Sequence, residues 1–96
     1  MFLGKVVGTV VSTAKDEKLE GFKLLLVRHL DDKLNPTGGY TVVPDGVGAG
    51  TGEIVIVVAG SSARMTEHTK DKAVDTLAIG IVDSVEVEGD YLYRKD

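Results

Sequence analysis

Apolar residues in this chain fall into short runs separated by glycine, proline and charge, the pattern of a strand-rich protein. Leu3 to Thr13 is rich in valine and threonine and predicts a long first strand, bent or bulged at Gly4 or Gly8. Lys15 to Gly21 is a charged connection. Phe22 to Asp31 predicts a second strand, with Leu24 to Val27 apolar on both faces and a polar end at Arg28 and His29. Asp31 to Gly39 has turn chemistry, because proline fixes φ and glycine and asparagine accept positive φ. Tyr40 to Val43 predicts a short third strand, stopped by Pro44, and Ile54 to Ala59 a fourth. Leu77 to Glu88 predicts a fifth, in which Val85 and Val87 alternate with Glu86 and Glu88. Gly89-Asp90 then turns the chain into Tyr91 to Arg94.

One short helical turn is predicted, with Ser61 or Ser62 as N-cap and an end near Thr66. The fold class is therefore all-β: a small five- to six-stranded barrel, closed or partly closed. The 96 residues make one domain with a modest core. Two strands, Leu24–Val27 and Ile54–Val58, are apolar on both faces and need a covering layer on each side. A helix-poor chain of this length has little material for that. A second copy of the chain would supply it and would also cover open strand edges; the alternative is that barrel curvature and loops cover both faces.

Glycine stands at every second position from Gly46 to Gly52, between Asp45 and Glu53. A helix does not tolerate that density, and a strand loses packing at each position. Such a run suits a backbone that turns sharply or approaches another closely. Its place beside the most apolar strand suggests an assembly surface rather than a catalytic centre.

Composition narrows the function. The net charge of −4 disfavours a nucleic-acid partner, since phosphate binding needs a basic surface. Three tyrosines and two phenylalanines give few stacking platforms for single strands. A small barrel that binds single-stranded nucleic acid is still the alternative reading. There is no cysteine, hence neither disulfide nor thiolate metal site. No apolar run approaches the ~20 residues that span a bilayer. Met1 to Lys5 lacks signal-peptide character, so a cytoplasmic protein without a membrane partner is expected.

Catalytic constellations are weak. Ser62, a histidine (His29 or His68) and Asp45 make a triad only on paper, because no nucleophile elbow is present and both histidines read as surface residues. No histidines have metal-ligand spacing, and no cofactor is expected. The glycine run fails the dinucleotide fingerprint, since Thr51 and Glu53 stand where the third glycine is required. The element after it is a strand, so no helix dipole meets a phosphate.

Several segments in order resemble the pentameric vertex proteins of bacterial microcompartment shells, a family that includes the carboxysome and ethanolamine-utilisation vertex proteins. They are Gly8 to Thr13, Gly21 to Val27, Asp45 to Glu53, Gly60 to Arg64, and Val74-Asp75 with Gly80 to Asp83. The chain departs from the family pattern at Gly46 and at Ile54, where many relatives carry tryptophan. The resemblance implies a barrel related to the oligonucleotide-binding fold, no enzymatic activity, a homopentamer, and hexameric shell proteins as neighbours. It makes Asp45, Gly48, Ala49, Gly50, Glu53, Ser61, Ser62 and Arg64 candidates for the subunit interface or the ring opening. Arg64 is expected to pair across that interface with Asp45, Glu53 or Asp75.

Overall fold

The computed structural model describes residues 1–13, 21–60 and 75–95. Five strands form one antiparallel sheet: β1 (Phe2–Val10), β2 (Leu24–Leu30), β3 (Pro36–Pro44), β4 (Ile54–Ala59) and β5 (Thr76–Ile81). Their spatial order is β3-β2-β1-β4-β5. Two further strands, β6 (Ser84–Val87) and β7 (Asp90–Arg94), pair only with each other. No helix among the described residues is long and apolar enough to cross a membrane.

Bulges bend the sheet. The register of β1 on β2 shifts between Val6 and Gly8, and that of β4 on β5 between Ile56 and Val57. Each extra residue increases local twist, and the sheet curls until its edges β3 and β5 touch. They touch at one parallel bridge, Asp45 to Ala78, where the Gly46 N–H donates to the Ala78 carbonyl at 3.1 Å. The expected barrel is thus an open, curled sheet pinned at one point; no ladder joins β3 to β5.

The concave face holds the core. Val6, Leu25, Val27, Val43, Val55 and Ala78 come from all five strands and are fully buried, with Phe2 and Ile81 packed against them. On the other face Val58 and Leu77 pack with Phe22. Both faces of β4 are therefore largely covered within the subunit. The expected partner is thus not required to cover β4; elsewhere on this face Leu26, Leu30 and Ile56 are only half-buried.

Several boundaries differ from the sequence reading: β1 ends at Val10 rather than Thr13, and β2 begins at Leu24 rather than Phe22. Turn chemistry is confined to Asp31–Asn35, where one Asp31 carboxylate oxygen accepts the Lys33 and Asn35 N–H groups at 2.8 and 2.9 Å. Pro36 to Gly39 instead extends β3 as far as Pro44. As an edge strand it tolerates residues that donate or pack poorly. The fifth strand divides at Val82 and Asp83, because the Val82 N–H turns to the Ile54 carbonyl and its side chain is buried. The last hairpin turns at Glu88 and Gly89, both at positive φ, one residue earlier than expected. The expected helical turn from Ser61 lies outside the described residues.

Candidate functional site

The glycine segment joins β3 to β4, and carboxylates at its two ends shape it. One Asp45 oxygen accepts the N–H groups of Val47 and Gly48, each at 3.0 Å. This is the local side-chain-to-backbone closure that aspartate favours at turns. At the far end Glu53 Oε1 accepts the Gly50 N–H at 2.7 Å, and Glu53 Oε2 accepts from the Lys95 ammonium. The loop is also stitched to its neighbours. Gly52 donates to the Val6 carbonyl at 2.7 Å, Val6 donates to the Glu53 carbonyl at 2.9 Å, and Lys23 Nζ donates to the Ala49 carbonyl at 3.1 Å.

The glycines serve different ends. A Cβ on Gly46 would stand 2.8 Å from the Ala78 carbonyl oxygen, so this is where two backbones approach closely. At Gly48 a Cβ would meet nothing within 4 Å, and glycine is required by a φ of 75° instead. Ala49 between them is fully buried and belongs to its own subunit's core. Close packing inside the subunit is thus at Gly46, not at Gly48 or Gly50.

This geometry leaves little chemistry in the loop. The N–H groups of Val47, Gly48 and Gly50 are held by the chain's own carboxylates, so they do not form a cradle for phosphate. Asp45 is occupied by backbone and is not placed to orient a histidine. His29 is half-buried, and its ring stacks on Phe2 with centroids 4.1 Å apart and 9° between planes. Its Nε2 lies 2.5 Å from Thr41 Oγ1. Ser61, Ser62, Arg64 and His68 lie outside the described residues. Of the three acids proposed for Arg64, Asp45 and Glu53 already have partners within the subunit. Asp75 accepts the Gly60 N–H through its backbone carbonyl at 2.6 Å.

Sequence reasoning missed Lys95 and Lys23. Lys95 lies 42 residues from Glu53, so no local spacing advertises the pair. The Lys95 ammonium, and then the Gly50 N–H, hold the Glu53 carboxyl below its ordinary 4.5, while Glu53 raises the Lys95 ammonium above its ordinary 10.5. A depressed carboxyl stabilises the fold above its unfolded pKa, and that contribution is lost as pH falls through the folded value. The raised ammonium contributes below its unfolded pKa and loses this as pH rises through the folded value. The clamp therefore spans neutral pH. We expect the Glu53 carboxyl carbon, followed by NMR, to titrate below 4.5, and Lys95→Met to move the midpoint upward. An unmoved midpoint in the variant would separate the two residues.

With both its carboxylates turned onto its own backbone, the loop is a structural joint. Residues 1–83 match the family described as ethanolamine utilisation protein EutN/carboxysome. The chain belongs to this family. Among its relatives is the Rhodospirillum rubrum bacterial microcompartment shell vertex protein GrpN, 57% identical over 90% of this chain and 97% of the relative. The solved structure named as the GrpN pentameric microcompartment shell protein from Rhodospirillum rubrum superposes with a TM-score of 0.83 at 56% identity, covering 91% of this chain and 99% of that one. The structure of Gloeobacter violaceus CcmL gives a TM-score of 0.93 at 42% identity, covering 99% and 98%. The family match ends at Asp83, at the root of the β6–β7 hairpin.

Proposed function

We propose that this chain is a structural subunit of a bacterial microcompartment shell in the cytoplasm, assembled as a homopentamer at the shell's five-fold vertices. The observation that carries this reading is the match, over nearly the whole chain, to a solved pentameric shell protein. The physical picture supports it. The glycine loop is closed on itself, and the outer sheet face is only half-covered by its own subunit. The protein is not an enzyme in this reading. Closing a surface of flat hexagonal tiles requires five-fold units at its corners, so its other neighbours are hexameric shell proteins. The exposed tip at Gly48, with Gly50, faces the neighbouring subunit or the ring opening, while Asp45 and Glu53 hold that tip in shape.

Native mass spectrometry is expected to show five copies of the 10.2 kDa subunit. Cells lacking the gene, with no paralogue to substitute, are expected to form elongated or leaky shells around active cargo enzymes. A monomer at micromolar concentration would refute the ring, and normally closed shells would refute the vertex role. Salt-sensitive binding to single strands would instead favour a nucleic-acid partner.

A further inference from the structure

The β6–β7 hairpin stands apart from the rest of the subunit. Its strands pair with each other and make at most marginal contact with the strands of the main sheet. A lone two-stranded hairpin is marginal in water, and both its edges are open to pairing. Yet its root is firmly set. The buried Val82 is bonded to Ile54, the Lys95 N–H donates to the Asp83 carbonyl at 2.7 Å, and the Lys95 ammonium sits on Glu53. This is an arm held at a defined angle, about 15 Å long from its residue count.

The arm's surface combines apolar and acidic groups. Tyr91 and Leu92 are 54% and 42% exposed. Glu86, Glu88 and Asp90 are exposed and make no ion pair among the described residues. Arg94 is engaged within the arm, 4.0 Å from the Tyr91 ring centroid. The complement of such an arm is an apolar strip beside positive charge.

The outer face of β1, β2 and β3 has that character. Lys5, Arg28 and Tyr40 lie side by side across the three strands, with the Arg28 guanidinium 5.6 Å from the Tyr40 ring centroid. The next row holds Leu26 and Val42, and Tyr40 and Val42 are about half exposed. The other apolar hollow, lined by Met1, Leu3, Leu30 and Ile56, has Asp31 and Asp32 at its rim and repels an acidic arm. Charge selects the first face.

We infer that the β6–β7 hairpin is an exchanged arm: it lies on the adjacent subunit of the ring, its acidic tip against that subunit's Lys5 and Arg28 and its apolar residues against Leu26 and Val42. The inference rests on the pentameric reading. Each subunit then gives one arm and receives one, the head-to-tail contact that closes a ring.

The chain has no cysteine, so introduced thiols report cleanly. Lys5→Cys with Asp90→Cys in one chain, treated with a short bismaleimide, should give a denaturing-gel ladder up to five subunits. Either single variant should give no ladder. Separately, Lys5→Glu with Arg28→Glu should raise the subunit concentration needed for assembly at least tenfold, and adding Glu86→Lys with Asp90→Lys should restore it. An oligomer other than a pentamer in native mass spectrometry of the unmodified protein overturns the ring itself. An intact pentamer that yields only single-subunit bands, or one indifferent to the charge reversals, overturns the arm alone.

Discussion

Gly46→Val is expected to destabilise the protein by roughly 1–3 kcal/mol, the usual cost of forcing extra methyl groups into a packed site. The crowding is against backbone, which cannot rotate away. A Cβ there meets the Ala78 carbonyl oxygen at 2.8 Å and the Leu77 side chain at 3.3 Å. That carbonyl also accepts the Gly46 N–H, so relief of the clash opens the one hydrogen-bonded contact between the sheet's two edges. The subunit would lose its curl, and assembly would fail with it. Gly8→Ala is the control, because a Cβ at Gly8 meets nothing within 4 Å and its φ is not positive. Its effect should be within about 0.5 kcal/mol. Urea midpoints should be compared at equal subunit concentration, since assembly stabilises the folded state by mass action. Equal midpoints for the two variants would show that the edge contact does not hold the fold closed.

Leu25→Ala is expected to cost about 2–5 kcal/mol, as for other truncations that leave a cavity. Leu25 is fully buried on β2, among the largest such side chains, and sits in a core whose members come from all five strands of the sheet. Few mobile groups surround it: the fully buried neighbours are valines and alanines, whose short side chains cannot collapse into the space. In a domain stable by about 5–15 kcal/mol this is a large share. The thermal midpoint should fall by at least about 8 °C. Leu30→Ala, on the half-exposed outer face, should fall less than half as far. A smaller shift for Leu25 than for Leu30 would place the core on the wrong face of the sheet.

The arm and the loop clamp are linked through Lys95, which ends the arm and holds Glu53.

How much of this was legible beforehand follows from what each kind of signal carries. Runs of valine, leucine and isoleucine marked β2 and β4, because a strand apolar on both faces leaves little ambiguity, and richness in valine and threonine marked β1. The family resemblance, carried by short segments from Gly8 to Asp83, supplied the pentamer, a number that periodicity does not contain. The turn at Asp31 was legible as chemistry but not in extent, since proline and glycine also occur on an edge strand with one unpaired side. The alternation through Val85 and Val87 was real, yet a period of two states only that a segment is extended and not which strand it joins. Tertiary structure alone decided that this segment leaves the sheet as an arm, because the decisive bonds, Val82 to Ile54 and Lys95 to Glu53, cross 28 and 42 residues of chain. It also decided which glycine is crowded: among glycines spaced alike in sequence, only Gly46 was brought against Ala78 by the curl of the sheet.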